Sequence, residues 1–217
     1  MLEFLGSLLT IVVIDLVLSG DNAVVIGLAA RNLSAENRRK AIILGGAGAV
    51  GLRILFTALA VFLLQVPYLK AAGGLLLLYI AFKLVRPHQE HHNVSEASSL
   101  WGAIQTIILA DVVMSLDNVL AVGGAAHGDV SLLIFGLALS IPILLLGAEL
   151  VARVLGRFPI LVYVGCVILI VTAVGMVIED DIVHRTFPVS MPLHIALIVV
   201  ASVVIIGSAL WMQRRQD

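Results

Sequence analysis

Asp15-Leu-Val-Leu-Ser-Gly-Asp-Asn22 and Asp111-Val-Val-Met-Ser-Leu-Asp-Asn118 are two copies of one pattern, D-x-x-x-S-x-D-N, each set inside a long apolar run. Asp15, Ser19, Asp21, Asn22 and Gly27 recur as Asp111, Ser115, Asp117, Asn118 and Gly123 at a constant spacing of 96 residues. Carboxylates in segments of bilayer-crossing length are costly unless a partner, a proton or a bound ion neutralises them, so they are candidate functional groups. The surrounding composition fits such segments. Of 217 residues, 61% are hydrophobic and 12% charged, with a mean hydropathy of +1.13. This is too apolar for a soluble domain and points to a polytopic membrane protein embedded in the lipid bilayer. A net charge of -1 is silent on nucleic acid as a partner, and no basic run or aromatic-interleaved patch suggests one, so no nucleic acid is expected. The single cysteine, Cys166, excludes an internal disulfide and a cysteine-cluster metal site.

Apolar runs of about 20 residues in lipid should be helices, because every backbone polar group must be satisfied within the segment. Seven spans are expected, over 5–30, 41–64, 69–85, 100–125, 132–155, 160–178 and 191–211. Ser34 reads as an N-cap, and Pro67, Pro87, Pro159 and Pro188 punctuate the breaks. The stretch Met1 to Thr10 lacks a basic start, so the first run is expected to stay as a spanning helix. Pro67 and Gly73 correspond to Pro159 and Gly165 at a spacing of 92, which extends the duplication beyond the motif. Three helices per copy would start the second copy from the opposite side of the membrane. The expected fold class is therefore an all-α polytopic membrane protein with seven transmembrane helices, a 3+3 inverted-topology repeat plus one C-terminal helix. As one membrane domain over 1–217, it would comprise repeat one at 5–86, a cytoplasmic linker at 87–98, repeat two at 99–178 and the extra helix at 191–211.

Charge sets the expected orientation. Arg31, Arg38, Arg39, Lys40, Lys83, Arg86, Arg153, Arg157, Arg214 and Arg215 fall on one side, against Lys70 and Arg185 on the other. The positive-inside rule then puts the N-terminus outside and the C-terminus in the cytoplasm. Glu3, Asp129, Glu179, Asp180 and Asp181 gather on the outer side and read as solvated loop charge rather than a cation-collecting mouth.

On a helix, Asp15, Ser19 and Asn22 fall within an arc of roughly 60°, while Asp21 lies about 120° from Asp15. A break at Gly20 could turn Asp21 into the same cavity, although the second copy has Leu116 there. The plainer alternative is that the aspartates cap half-helices and that serine and asparagine hold helices together, a reading the duplication weakens. Arg53 and Glu149, also 96 apart, are expected to form a structural pair. That leaves four aspartates to be neutralised by protons or a cation. Carboxylate, amide and hydroxyl oxygens, with neither thiolate nor intramembrane histidine, suit a hard divalent ion such as Mn²⁺, Mg²⁺ or Ca²⁺. With antiparallel copies, Asp21 would lean toward the cytoplasmic half and Asp117 toward the outer half, gates for alternating access around Asp15 and Asp111.

These residues resemble the TerC family of bacterial integral membrane proteins, in its short YjbE-like form. The two D-x-x-x-S-x-D-N motifs, the arginine-rich turn after the first helix, Phe135-Gly-Leu-Ala-Leu-Ser-Ile-Pro142 and Arg157-Phe-Pro159 carry the resemblance, which covers nearly the whole chain. It implies a place in the LysE-type exporter superfamily, the bacterial inner membrane as location, and manganese efflux as activity. Mn²⁺ would be the transported substrate, with no cofactor and no enzymatic step. By position it assigns metal binding to Asp15, Asp21, Asn22, Asp111, Asp117 and Asn118, with Ser19 and Ser115 in support.

Rival readings are an exporter of an amino acid or other small solute, and an assembly factor for membrane proteins. Proton coupling is an option, since the same aspartates could trade metal for protons, and a homo-oligomer is left open. His88-Gln-Glu-His-His92 reads as a solvated linker, with metal delivery as the less favoured alternative. His127, His184 and His194 share no spacing, and the chain has no nucleophile elbow, phosphate loop or HExxH pattern.

Overall fold

With no water to bond its N–H and C=O groups, an apolar chain in lipid has the helix as its local solution. The computed structural model describes residues 2–59, 66–86, 96–125 and 130–214, and only the backbone of 2–5, 7, 14, 17–18, 58, 96–98, 117–125 and 130–133. Among the described residues every element is helical: α1 (Leu2–Leu18), α2 (Gly20–Ala30), α3 (Ala35–Ala58), α4 (Leu69–Val85), α5 (Glu96–Ala125), α6 (Val130–Arg157), α7 (Ile160–Ile178), α8 (Asp181–Thr186) and α9 (Met191–Gln213).

Five of these are long and apolar enough to cross a membrane, over Ala35–Thr57, Ser99–Leu116, Ile134–Arg157, Ile160–Ile178 and Met191–Gln213. Seven were expected, and the difference has local causes. The 5–30 run is not one helix, because Ser19 (φ -101°, ψ 10°) separates α1, of 17 residues, from α2, of 11. The break is shallow: the Ser19 N–H still donates to Asp15 O at 2.8 Å, and the Ala23 N–H to Ser19 O at 3.2 Å. A serine–glycine pair is a common place for a helix to kink, and α5, with Leu116 at the matching position, runs through unbroken. The third expected span, α4, has only 17 residues. It opens at Tyr68, which sits in the left-handed region (φ 59°) directly after Pro67.

The Ser34 side chain accepts from Asn37 N–H and caps α3 as expected. Asp180 departs from expectation. It is buried, and its carboxylate accepts from Ile182 and Val183 N–H at the start of α8 and from Ala71 N–H at the start of α4, at 3.2 Å. One carboxylate thus satisfies orphan donors of two helices and fixes the end of α7 against the beginning of α4. Glu179 and Asp181 beside it are exposed.

Three helix pairings build the interior: α3 on α5, α4 on α7, and α1 with α2 on α6. Glycines permit the close approach that membrane helices use. A Cβ on Gly74 of α4 would lie 2.5 Å from the Ala173 carbonyl oxygen of α7, and one on Gly27 of α2 would meet Ala152 N of α6 at 3.1 Å. At one end of the molecule, Arg31, Arg86, Gly156, Pro159 and Gln213 surround a cavity of about 250 Å³, so α2, α4, α6 and α9 end, and α7 begins, on the same face. Arg31 closes this end by donating to Leu28 O (3.3 Å) and Leu84 O (2.9 Å), the free carbonyls of two helix C-termini. The last helix, α9, lies against α7 and α4 at the periphery, with Val199, Val200, Val203 and Val204 directed outward.

Candidate functional site

Where α1, α2, α3, α5 and α6 meet, the apolar interior is interrupted by a closed polar cluster. Asp15, Arg53 and Asp111 are 2%, 3% and 3% exposed, and Ser19, Asn22, Ser115 and Ser140 are buried with them. Arg53, from α3, lies between the two motif copies. Its Nη1 donates to Asp15 Oδ1 at 2.5 Å and to Ser19 Oγ at 3.0 Å, its Nη2 to Asp111 Oδ1 at 2.6 Å, and its Nε to Ser115 Oγ at 2.9 Å.

Each motif serine acts as a relay. Ser19 accepts from Arg53 and donates to Asp15 Oδ1 at 3.3 Å, and Ser115 accepts from Arg53 and donates to Asp111 Oδ2 at 3.2 Å. The four-residue spacing makes this possible, since positions i and i+4 adjoin on a helix face. Asn22 donates from Nδ2 to Asp111 Oδ1 at 3.1 Å, joining the first motif directly to the second. Its carbonyl oxygen, Oδ1, is buried and has no hydrogen-bond partner among the described residues. Ser140 of α6 donates to Asp15 Oδ2, from two residues before Pro142.

Five motif residues expected from sequence, Asp15, Ser19, Asn22, Asp111 and Ser115, are thus brought into one cluster. Asp21 is not among them. The shallow break at Ser19 leaves it turned toward α7, where Thr172 Oγ1 donates to its Oδ2 at 3.2 Å and Asn22 N–H to its Oδ1 at 3.0 Å. A carboxylate in the first turn of α2 is also favoured by the helix dipole. Asp117 and Asn118 belong to α5, but their side chains lie outside the described residues, as does the whole of His88–His92.

The expected Arg53–Glu149 pair does not form. Arg53 pairs with Asp15 and Asp111, and Glu149 takes Arg153 one turn along its own helix at 3.3 Å. The reason is register. Ile11 and Ile107, 96 apart, pack against glycines of the facing helices, and Cβ atoms on Gly136 and Gly45 would each lie 3.0 Å from the isoleucine Cβ. Those two glycines are 91 apart, not 96. A five-residue discrepancy rotates a side chain by about 140°, so a pair chosen at 96 falls on different faces. In the 91 register Arg53 corresponds to Leu144, and Ser140 to Ala49.

Sequence reasoning missed Ser140 and Thr172, lone hydroxyls in apolar helices with no spacing to mark them. It also misassigned the partners of Arg53, for which a signal existed. Buried aspartates without a counter-charge are costly, and Arg53 falls in the middle of a neighbouring apolar run.

With both carboxylates ionised and Arg53 charged, the cluster carries one net negative charge in an apolar surround. Such a group attracts a cation or a proton. Among the described residues no three His, Cys, Asp or Glu side chains stand together. A metal here would draw on Asp15, Asp111, the Asn22 carbonyl oxygen and serine hydroxyls, an all-oxygen set suited to hard ions.

A profile of the "Integral membrane protein TerC family" matches residues 1–217. The chain is 43% identical over 208 residues to the "Uncharacterized membrane protein YjbE" of Bacillus subtilis, covering 93% of this chain and 95% of that one. It is 25% identical over 199 residues to a "UPF0053 protein" of Haemophilus influenzae, covering 82% and 83%. To the "Uncharacterized membrane protein YkoY" of Bacillus subtilis it is 31% identical over 126 residues, which span 39% of YkoY. No solved structure gives a significant match.

Proposed function

This chain belongs to the TerC family of integral membrane proteins, and we propose that it exports a divalent metal cation, Mn²⁺ first among candidates, by alternating access around the Asp15–Asp111 cluster. The observation that carries the reading is the convergence of carboxylates from both motif copies with Asn22 Oδ1, a buried acceptor without a donor among the described residues. A buried oxygen left without a partner is costly, and a cation shared with the adjacent carboxylates would satisfy it. The described residues of this set offer oxygen alone, which favours Mn²⁺ over zinc or copper. The metal is substrate, not resident cofactor.

The transport scheme uses the inverted repeat. Supporting it, the pairings of α3 with α5 and of α1–α2 with α6 exchange when the first three helices are swapped for the next three, while α4 with α7 maps onto itself. Gly73 and Gly165, 92 apart, behave alike: added Cβ atoms would lie 3.1 Å from Val113 of α5 and 3.0 Å from Val24 of α2. In the seven-span form, α1–α2 and α4 each count as a crossing. A segment of 17 residues rises about 25 Å, close to the hydrocarbon thickness. The face where Arg31, Arg86 and Gln213 meet would be cytoplasmic by the positive-inside rule, with the N-terminus outside a bacterial inner membrane.

The test is Mn²⁺ uptake into inside-out vesicles or proteoliposomes, comparing the parent with Asp15→Asn, Asp111→Asn, Asp21→Asn and Asp117→Asn at equal expression. Loss of saturable flux in the Asp15 and Asp111 variants is expected. Flux retained in all four would place the pathway elsewhere. Purified protein that moves no metal, while cells lacking it misassemble other membrane proteins, would favour the assembly role.

A further inference from the structure

The repeated motif does not itself require Arg53. Its counterpart in the 91 register is Leu144, so a single guanidinium, present in the first repeat only, serves a carboxylate from each repeat. The guanidinium stands where a cation shared by Asp15 and Asp111 would stand, 2.5 and 2.6 Å from one oxygen of each. A divalent ion and a guanidinium cannot both hold those oxygens, because like charges at contact distance in a buried site repel strongly.

We propose that Arg53 is a tethered counter-cation that occupies the Asp15–Asp111 site whenever the transported metal does not, so that guanidinium and metal exclude one another. This rests on the transport reading above and assigns the device that lets the unloaded protein complete its cycle. A bare pair of carboxylates would hinder any rearrangement that keeps it in apolar surroundings. With Arg53 in place half of that charge is balanced, and the metal-free form can turn around. In the metal-free form Ser19 and Ser115 also hold Nη1 and Nε, at 3.0 and 2.9 Å; when metal enters, the carboxylates turn to the ion and the guanidinium withdraws from them. Arg53 thus acts through the carboxylates as a positioning residue.

The experiment uses the full chain, purified in detergent and reconstituted in liposomes, as wild type, Arg53→Gln and Arg53→Lys. Three quantities are measured with Mn²⁺ as probe: equilibrium affinity, exchange of labelled for unlabelled Mn²⁺ across the membrane, and net flux into metal-free liposomes. Removing the competitor should tighten Mn²⁺ binding in Arg53→Gln at least tenfold. Mn²⁺ should also raise its unfolding midpoint more than that of wild type. Exchange should persist while net flux falls at least tenfold, because only the loaded form can then turn. Arg53→Lys keeps a cation without the bridging fork, and should bind metal a few-fold more tightly while retaining net flux.

Arg53→Gln with wild-type net flux, or with Mn²⁺ affinity unchanged or weakened, overturns the proposal. Should Arg53→Gln fail to fold, Arg53→Lys decides: equal loss of exchange and net flux in that variant marks Arg53 as merely structural. A wild-type protein that exchanges no Mn²⁺ overturns the transport reading and this inference with it, whereas a wild type that exchanges leaves Arg53 alone on trial.

Discussion

Arg53→Gln and Asp111→Asn remove charges of opposite sign from the same cluster, and their costs to stability should differ sharply. Glutamine lacks the charge and the fork, so all four hydrogen bonds of Arg53 are lost, to Asp15, Ser19, Ser115 and Asp111. At roughly 0.6 kcal/mol for each such bond between membrane helices, the loss is about 2.4 kcal/mol. Leaving buried carboxylates without their counter-ion costs about 3–5 kcal/mol by analogy with broken buried pairs. The two routes bracket the penalty at about 2–5 kcal/mol. Asp111→Asn is different in kind. The asparagine carbonyl can still accept from Arg53 Nη2 and Asn22 Nδ2, and Ser115 can rotate its hydroxyl to accept from the new amide. The bond from Arg53 stays charge-assisted through the guanidinium, and those with Asn22 and Ser115 become neutral, a loss of about 1 kcal/mol in all, but the cluster's net charge goes from -1 to zero, which offsets part of it. The net change should stay within about 1 kcal/mol, although on the proposed function Mn²⁺ flux is lost. Unfolding in detergent micelles, followed by far-UV circular dichroism against denaturant, measures both. Equal penalties, or a larger one for Asp111→Asn, would refute the charge balance drawn here.

Helix packing and capping give two further predictions. Gly74→Ala sets a Cβ 2.5 Å from the Ala173 carbonyl and 3.1 Å from Val177 N, backbone atoms that cannot rotate away, so α4 and α7 must separate at a cost of about 1–3 kcal/mol. Gly51→Ala, with nothing within 4 Å, should be neutral or gain up to about 1 kcal/mol from helix propensity; the difference between these variants in the same unfolding assay is the check. Asp180→Ala removes the cap of α8 and the acceptor of Ala71 N–H, and should destabilise by roughly 2 kcal/mol. Asp180→Asn, which keeps one acceptor oxygen, should lose less than half of that, and equal loss in the two would mean that the cap is not what Asp180 contributes.

Helix positions were legible in the sequence wherever apolar length and punctuation agreed. Ser34 caps α3, and α7 spans Ile160–Ile178 as expected. The signal failed where geometry beyond composition decides. Hydropathy sees 5–30 as one unbroken run, but a break depends on the backbone at Ser19, where Gly20 removes the side chain that holds Leu116 in a regular helix. Asp180 was read as solvated because it sits in an acidic string, Glu179-Asp-Asp181. Its burial comes from a partner 109 residues away, Ala71 N–H, to which no local pattern points.

The site was legible in its symmetric half and hidden in its asymmetric half. A motif repeated at 96 residues identifies Asp15, Ser19, Asp111 and Ser115, because the i, i+4 spacing that places serine beside aspartate is written in each copy. Arg53 and Ser140 come from α3 and α6, whose register is 91, so neither is met by counting from the motif. The two halves of the sequence therefore contribute unequally, the first supplying the cation and the second an added hydroxyl to Asp15. That inequality has a physical rationale. On the proposed function, two symmetric arginines would leave no net negative charge to attract a metal, and none would leave two unbalanced carboxylates in an apolar interior. One arginine between two aspartates leaves the site one charge short of neutral, stable enough to remain buried and still acidic enough to favour a cation.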